Sequence, residues 1–244
     1  VKDTSLTAQF EVTSTAKSAF LFEKSGGAPV YILAWTTTPW TLPSNSALTA
    51  GKNISYVLVK TFNPYTYLPV HVVLAKDLVK NYFQAAAENG DFEAYVAAEK
   101  KPAAIPYSIL DTFKGADIDG VEYAQLMPYV QPKSSAFRVI LGDFVTTEDG
   151  TGIVHTSPAF GADDYKVGQK NNLGIITLVD REGKFIDGVG EFAGRFVKNY
   201  KDEKDFQDVN VDISVKLKKE NRAFKVEKYE HNYPHCWRTD KPIL

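Results

Sequence analysis

Val30-Tyr31-Ile32-Leu33-Ala34-Trp35-Thr36-Thr37-Thr38-Pro39-Trp40-Thr41-Leu42-Pro43-Ser44-Asn45 is the stretch on which the fold turns. Its first six residues are apolar without alternation, the pattern of a strand buried on both faces. Three threonines then set hydroxyls and backbone N–H groups at the strand's end, and Pro39, which has no N–H, stops further ladder pairing. With Trp35 and Trp40 on either side, such a run can line a small polar pocket with aromatic walls. A Thr-rich strand entering a proline loop is the plainer reading of the same residues, and composition does not separate the two.

Working outward, short runs at 8–12, 19–22, 54–60, 70–75, 137–145, 152–156 and 175–179 read as further strands, punctuated by Ser25-Gly26-Gly27, Asn63-Pro64 and Arg181-Glu182-Gly183. Many short strands with such turns predict a β-rich fold, a β-barrel core with peripheral α-helices. Between 77 and 88 the period changes. Leu78, Val79, Tyr82, Phe83 and Ala86 recur at steps of three and four, predicting a helix stopped by Asn89-Gly90. A second helix is expected at about 207–221, and the Ala-, Lys- and Glu-rich segment 89–107 reads as a surface insertion. The whole of 1–244 is expected to form one domain.

The chain carries 28 Lys+Arg against 30 Asp+Glu, a formal charge of −2, so nothing draws it globally to nucleic acid or anionic membrane. One cysteine, Cys236, excludes an intrachain disulfide and a Cys-rich zinc site, and points to a reducing, cytoplasmic setting. Apolar runs such as 31–35 fall far short of the ~18 residues that span a bilayer. The start, Val1-Lys2-Asp3-Thr4-Ser5, is not that of a signal peptide, and the single, internal Met127 suggests a chain cut from something longer.

A second segment with chemical potential is Gly150-Thr151-Gly152-Ile153-Val154-His155-Thr156-Ser157-Pro158-Ala159-Phe160-Gly161-Ala162-Asp163-Asp164-Tyr165. It puts a histidine at the end of one strand and carboxylates at the start of a helix, with glycines allowing tight turns between. His155 and Asp164 can thereby face one cleft; a β-turn-α connection with a partly buried histidine and a capping aspartate is the bland equivalent. Ser157 sits beside His155, but no Gly-x-Ser-x-Gly elbow surrounds it. His231, His235 and Cys236 look like metal ligands, yet they lack the fourth ligand of a structural zinc site, so no metal is expected. The six cations of 216–228 against Glu220 and Glu227 form a basic face, either solvated or able to meet an RNA backbone.

Together these residues resemble the editing domain inserted into the catalytic domain of isoleucyl-tRNA synthetase, a class I synthetase. Three motifs carry the resemblance in order: the run from Trp35 to Asn45, Gly150-Thr151-Gly152-Ile153-Val154-His155 with Asp164, and Tyr233-Pro234-His235-Cys236-Trp237-Arg238. Valyl and leucyl relatives typically have Thr-Thr-Arg-Pro-Glu or Thr-Thr-Arg-Pro-Asp where this chain has Thr37-Thr38-Pro39-Trp40. Phe160 stands where the common bacterial form often has His.

The resemblance implies an aminoacyl-tRNA ester hydrolase that removes valine from mischarged tRNA(Ile), or hydrolyses valyl-adenylate, while excluding isoleucine. It implies Asp164, Thr37 and Thr38 as catalytic residues, and Trp35, Thr36, Trp40, Asn45 and His155 as substrate-binding ones. It further implies a monomer attached to the parent synthetase through 1–15 and 225–244, no membrane contact, and no cofactor in this piece. The family's His-x-Gly-His and Lys-Met-Ser-Lys-Ser signatures are absent, so ATP and Mg are expected only in a catalytic domain outside this chain. The alternatives are a non-catalytic tRNA-binding module, a valyl or leucyl editing domain, or a carboxylesterase using Ser157 and His155.

Overall fold

The computed structural model describes residues 2–132, 135–201, 203–239 and 241–244; Val1, where the expected first linker begins, lies outside them. The chain runs β1 (Lys2–Glu11), α1 (Ala19–Lys24), β2 (Val30–Thr36), β3 (Ala47–Ala50), β4 (Ser55–Phe62), β5 (Pro69–Ala75), α2 (Phe92–Ala97) and β6 (Ser108–Lys114). β7 (Arg138–Leu141), β8 (Ile153–Thr156), α3 (Ala162–Lys170), α4 (Val209–Lys219) and β9 (Ala223–Glu230) complete it. The strands form one mixed sheet in the order β6-β4-β5-β2-β8-β3-β7, and β1 pairs with both β2 and β9. The sheet curls into a half-barrel with few helices.

β2 organises the sheet. One edge pairs antiparallel with β1 (Leu6↔Thr36 to Glu11↔Tyr31). The other is shared by two parallel partners, β5 over Val30–Ile32 and β8 at Trp35↔Val154. Being covered on both edges and both faces, it needs the unbroken apolar run that its sequence provides: Val30, Ile32, Leu33 and Ala34 are fully buried. Phe10, Leu42, Tyr56, Leu58 and Phe192 join it in the main core, and burial of each such side chain is worth roughly 1.5–3 kcal/mol.

Several expected elements take other forms. Residues 19–22 belong to α1, not to a strand: a four-residue apolar run has no period, and Gly26 and Gly27 (φ +66° and +81°) end a helix here rather than turn a hairpin. The helix expected over 77–88 is two 3-10 turns, Lys76–Asn81 and Ala85–Ala87, separated by extended Gln84. Ala87, and not Ala86, is buried, so the apolar period breaks at that point. No strand forms at 175–179. Ile176 and Leu178 are buried and Ile175 exposed, as in a strand, but the segment forms only the isolated bridge Val179↔Phe185. α4 lies within the expected 207–221, started by Asp208, whose carboxylate accepts the Asn210 N–H. The segment 89–107 holds α2, ahead of edge strand β6.

Candidate active site

Because β2 and β8 are parallel neighbours, their carboxyl ends lie on the same side of the sheet, and the chains leaving them meet there. Thr36 to Thr38 leave β2; Thr156 and Ser157 leave β8. Between them opens a cavity of about 330 Å³ lined by Trp35, the threonines 36, 37, 38 and 41, His155, the Ser157 segment, Phe160 and Asp164. Its far wall is the glycine turn before β8, with Thr151, and Phe144 and Thr146 from the loop after β7. Both segments flagged in the sequence thus contribute to one pocket.

The threonines are tied to each other. The Thr38 N–H donates to Thr36 Oγ1 (3.0 Å), and the 3-10 turn Pro39–Ser44 brings Thr41 back so that its N–H and its hydroxyl both donate to the Thr38 carbonyl (2.9 and 2.8 Å). Asn210, on the first turn of α4, accepts the Trp40 N–H through Oδ1 at 2.9 Å, which fixes the far end of the loop.

His155 is 6% exposed and has both ring nitrogens engaged: Nδ1 lies 2.8 Å from Asn45 Nδ2 and Nε2 lies 3.0 Å from Thr41 Oγ1. Asn45 Nδ2 also donates to the Ala47 carbonyl, so this amide end is the NH2 group. His155 Nδ1 is therefore an acceptor, Nε2 carries the proton, and Thr41 Oγ1 accepts from it. Burial lowers the imidazole pKa from 6.5 to about 3, so the ring is neutral at physiological pH. It can act as a wall. It holds no free lone pair with which to take a proton from substrate or water.

Asp164 behaves in the opposite sense. It stands in the first turn of α3, where a carboxylate is normally favoured, yet burial raises its pKa from 3.8 to about 6; the Ser157 N–H, donating to Oδ2 at 2.8 Å, lowers it and Asp163 raises it again. The result is a poorly solvated carboxylate, ionised at neutral pH, with spare acceptor capacity inside a cavity. Such a group favours a cationic partner.

No family model matches the chain. All of it aligns with isoleucine–tRNA ligases: 52% identity over 267 residues with the protein of Cytophaga hutchinsonii, and 45% over 273 with that of Bacteroides fragilis. The enzyme of Clostridium tetani is 44% identical over 223 residues, 91% of this chain. The chain is a segment of the isoleucine–tRNA ligase family. It spans about a quarter of the curated relatives it matches, 23% of the first two. In fold it is similar to the solved CP1 domain of GlLeuRS, with a TM-score of 0.60 and 13% identity over 94% of this chain and 100% of that one. A leucyl-tRNA synthetase editing domain from P. knowlesi matches 70% of this chain at a TM-score of 0.49. This ligase segment has the fold of the GlLeuRS CP1 domain.

Within the ligase segment, Trp35, Thr36, Thr37, Thr38, His155 and Asp164 line the cavity, whereas Trp40 and Asn45 do not. Trp40 is 2% exposed and packs edge-on against Phe160, which does form the wall, so it acts one layer back. Asn45 likewise stands behind His155. Thr41 and Thr151 lie inside the two quoted segments without a role assigned from sequence, and Phe144 and Tyr123 lie outside them. Only Thr41 gave a local signal, the three-residue spacing from Thr38 that a 3-10 turn closes.

Ser157 Oγ is buried and donates to the Ser44 carbonyl at 3.0 Å, with no bond to His155. His231, His235 and Cys236 lie away from the cavity, His231 within 3.2 Å of Asp3 and His235 against the Tyr233 carbonyl. Among the described residues no group of three or more metal-ligating side chains is placed to hold an ion. Three of the six cations of 216–228 are matched to carboxylates: Lys216 pairs with Glu191 and Glu220, Arg222 with Glu220, and Lys225 with Glu227; Lys228 bonds the Thr4 hydroxyl and Lys218 lies over the Tyr65 ring.

Proposed function

We propose that this segment hydrolyses valine esterified to tRNA(Ile), or valyl-adenylate, and spares isoleucine. The observation that carries the reading is the meeting, in one cavity, of a desolvated carboxylate, a hydroxyl-lined strand end and a neutral histidine with no free nitrogen. Isoleucine against valine is itself the standard illustration of the underlying limit: one methylene of contact is too little to reject the smaller amino acid by binding, so a second site must remove it.

In this reading Asp164 pairs with the α-ammonium of the valyl group and anchors the substrate without touching its side chain. Thr36, Thr37 and Thr38 hold the ester and terminal ribose through hydroxyl and backbone groups, and Trp35 lies along the adenosine. An aminoacyl ester is already activated, so fixing its carbonyl beside a water supplies much of the acceleration without a protein nucleophile. His155 serves as the wall that the extra methylene of isoleucine would strike. The rest of the parent synthetase supplies the remaining tRNA contacts, together with ATP and Mg, in the cytoplasm; the segment works as a monomeric unit.

Two other readings fare worse. A serine esterase needs Ser157 bonded to a basic histidine, and His155 has neither the contact nor the lone pair. A purely RNA-binding module would use the basic face of 216–228, half of whose six cations, Lys216, Arg222 and Lys225, are already paired to nearby carboxylates. The discriminating experiment is His155→Ala assayed on tRNA(Ile) charged with each amino acid. Hydrolysis of isoleucyl-tRNA(Ile) should rise by on the order of tenfold or more, the worth of one excluded methylene; continued protection of isoleucine would remove His155 from the wall.

A further inference from the structure

We propose that Tyr123 is a positioning residue of this site, holding His155 in a single tautomer through the side-chain amide of Asn45. The proposal rests on the reading of His155 as the wall against isoleucine. Tyr123 belongs to none of the motifs and lies in the segment between β6 and β7, 78 residues beyond Asn45. It is 3% exposed, with its ring edge-on to Phe10 (5.3 Å) and Phe137 (6.1 Å). A phenylalanine would satisfy that packing. The hydroxyl has its own purpose: it lies 2.7 Å from Asn45 Oδ1.

The direction of every bond in this chain is determined. The Ala47 carbonyl can only accept, so the atom of Asn45 facing it is Nδ2, and Oδ1 faces Tyr123. Tyr123 must then donate. The second hydrogen of Nδ2 goes to His155 Nδ1, leaving the ring proton on Nε2, which donates to Thr41 Oγ1; the Thr41 hydroxyl in turn donates to the Thr38 carbonyl. A chain of five groups, fully satisfied and running one way, thus joins a tyrosine outside the pocket to the threonine turn inside it.

The opposite polarity is chemically available. With the Asn45 amide reversed, Oδ1 would accept from a protonated Nδ1, and Thr41 would donate to Nε2 and release the Thr38 carbonyl. That arrangement sets oxygen against the Ala47 carbonyl and an NH2 group against Tyr123. The carbonyl is the strong lock against it; the Tyr123 oxygen can accept from an NH2 group, but its own proton then loses the Asn45 acceptor, so the hydroxyl is a second, weaker lock. Loss of the hydroxyl removes one lock and leaves a buried amide oxygen unpaired. Both the histidine wall and the threonine turn then gain a second state.

The test is the tautomer of His155, read from long-range nitrogen–proton correlations of the 244-residue chain with labelled histidine, its signals assigned by loss in His155→Gln. The wild-type chain should show Nε2–H alone, and Tyr123→Phe a mixture of Nε2–H and Nδ1–H. In parallel, the preference of Tyr123→Phe for valyl- over isoleucyl-tRNA(Ile) should fall by on the order of tenfold, the worth of one buried hydrogen bond. A wild-type ring protonated on Nδ1 overturns the proposal. So does a Tyr123→Phe ring that stays in one tautomer while both hydrolysis rates fall together, which is the signature of lost packing only. Should Tyr123→Phe not fold, Asn45→Asp decides: its carboxylate only accepts, so Nδ1 must carry a proton, as the Nδ1–H tautomer or as imidazolium, and a ring without Nδ1–H refutes the chain. If the wild-type chain hydrolyses no valyl-tRNA at all, the functional reading fails, while the tautomer result stands by itself.

Discussion

Asp164 is held at a cost to the fold. Its pKa is raised to about 6 against 3.8 when solvated, so between those values the native state binds more protons than the unfolded one. Stability on this account is full below pH 3.8, declines as pH rises through 6 and stays reduced above it. The deficit is on the order of 2–3 kcal/mol. Asn in its place still accepts the Ser157 N–H and carries no charge, so Asp164→Asn should be more stable than wild type in urea unfolding at pH 7 and equal to it near pH 3.5. His155 works the other way, its stabilisation fading as pH falls from 6.5 toward 3, but it cancels in the comparison of the two proteins. A variant no more stable at pH 7 would mean that the carboxylate is not desolvated. Hydrolysis should show the complementary limb, with kcat/KM falling below about pH 6 as Asp164 takes up a proton. A destabilising carboxylate retained in a cavity is what a binding site looks like energetically.

At the scale of elements, the site depends on how closely the turn before β8 approaches β5. Gly152 has φ +72°, and a Cβ there would lie 2.4 Å from the Ala75 Cβ. Gly120 offers the same backbone demand, φ +80°, with nothing nearer than a lysine methylene at 3.8 Å. Gly120→Ala should therefore lose only the left-handed penalty of about 1–2 kcal/mol. Gly152→Ala should lose a further 1–3 kcal/mol from overpacking, read as a lower urea midpoint; equal midpoints would show that the turn has room.

The same elements explain what could be read beforehand. Trp35 to Thr38, His155 and Asp164 were legible because each sits where a strand ends or a helix begins, and residue type at such a place carries chemical meaning. Tyr123 and Asn210 were not, since their partners lie 78 and 170 residues away in sequence and nothing local marks them. α1 was misread because four apolar residues have no period. The 77–88 segment was misread because its apolar spacing suits an α-helix, while the extended Gln84 divides it into two tighter turns.

Across the whole molecule, β1 and β9 pair antiparallel from Lys2↔Glu230 to Ala8↔Ala223, so the first and last strands leave the half-barrel side by side. The chain spans 23% of the first curated relative it matches. The near-neutral charge of −2, and the pairing of Lys216, Arg222 and Lys225 to nearby carboxylates, limit the basic surface along α4 and β9. The recognition proposed here accordingly concentrates on the aminoacylated end of the tRNA and not on its backbone. The central claim is tested most directly by the initial rate at which this chain deacylates valyl-tRNA(Ile) and isoleucyl-tRNA(Ile), each measured with wild type and with Asp164→Ala. The account predicts rapid loss of valine, near-background loss of isoleucine, and a fall of at least about a hundredfold on valyl-tRNA in the variant, as expected for removing a half-buried charged anchor. Equal rates on the two esters, or an Asp164→Ala variant as active as wild type, would contradict it.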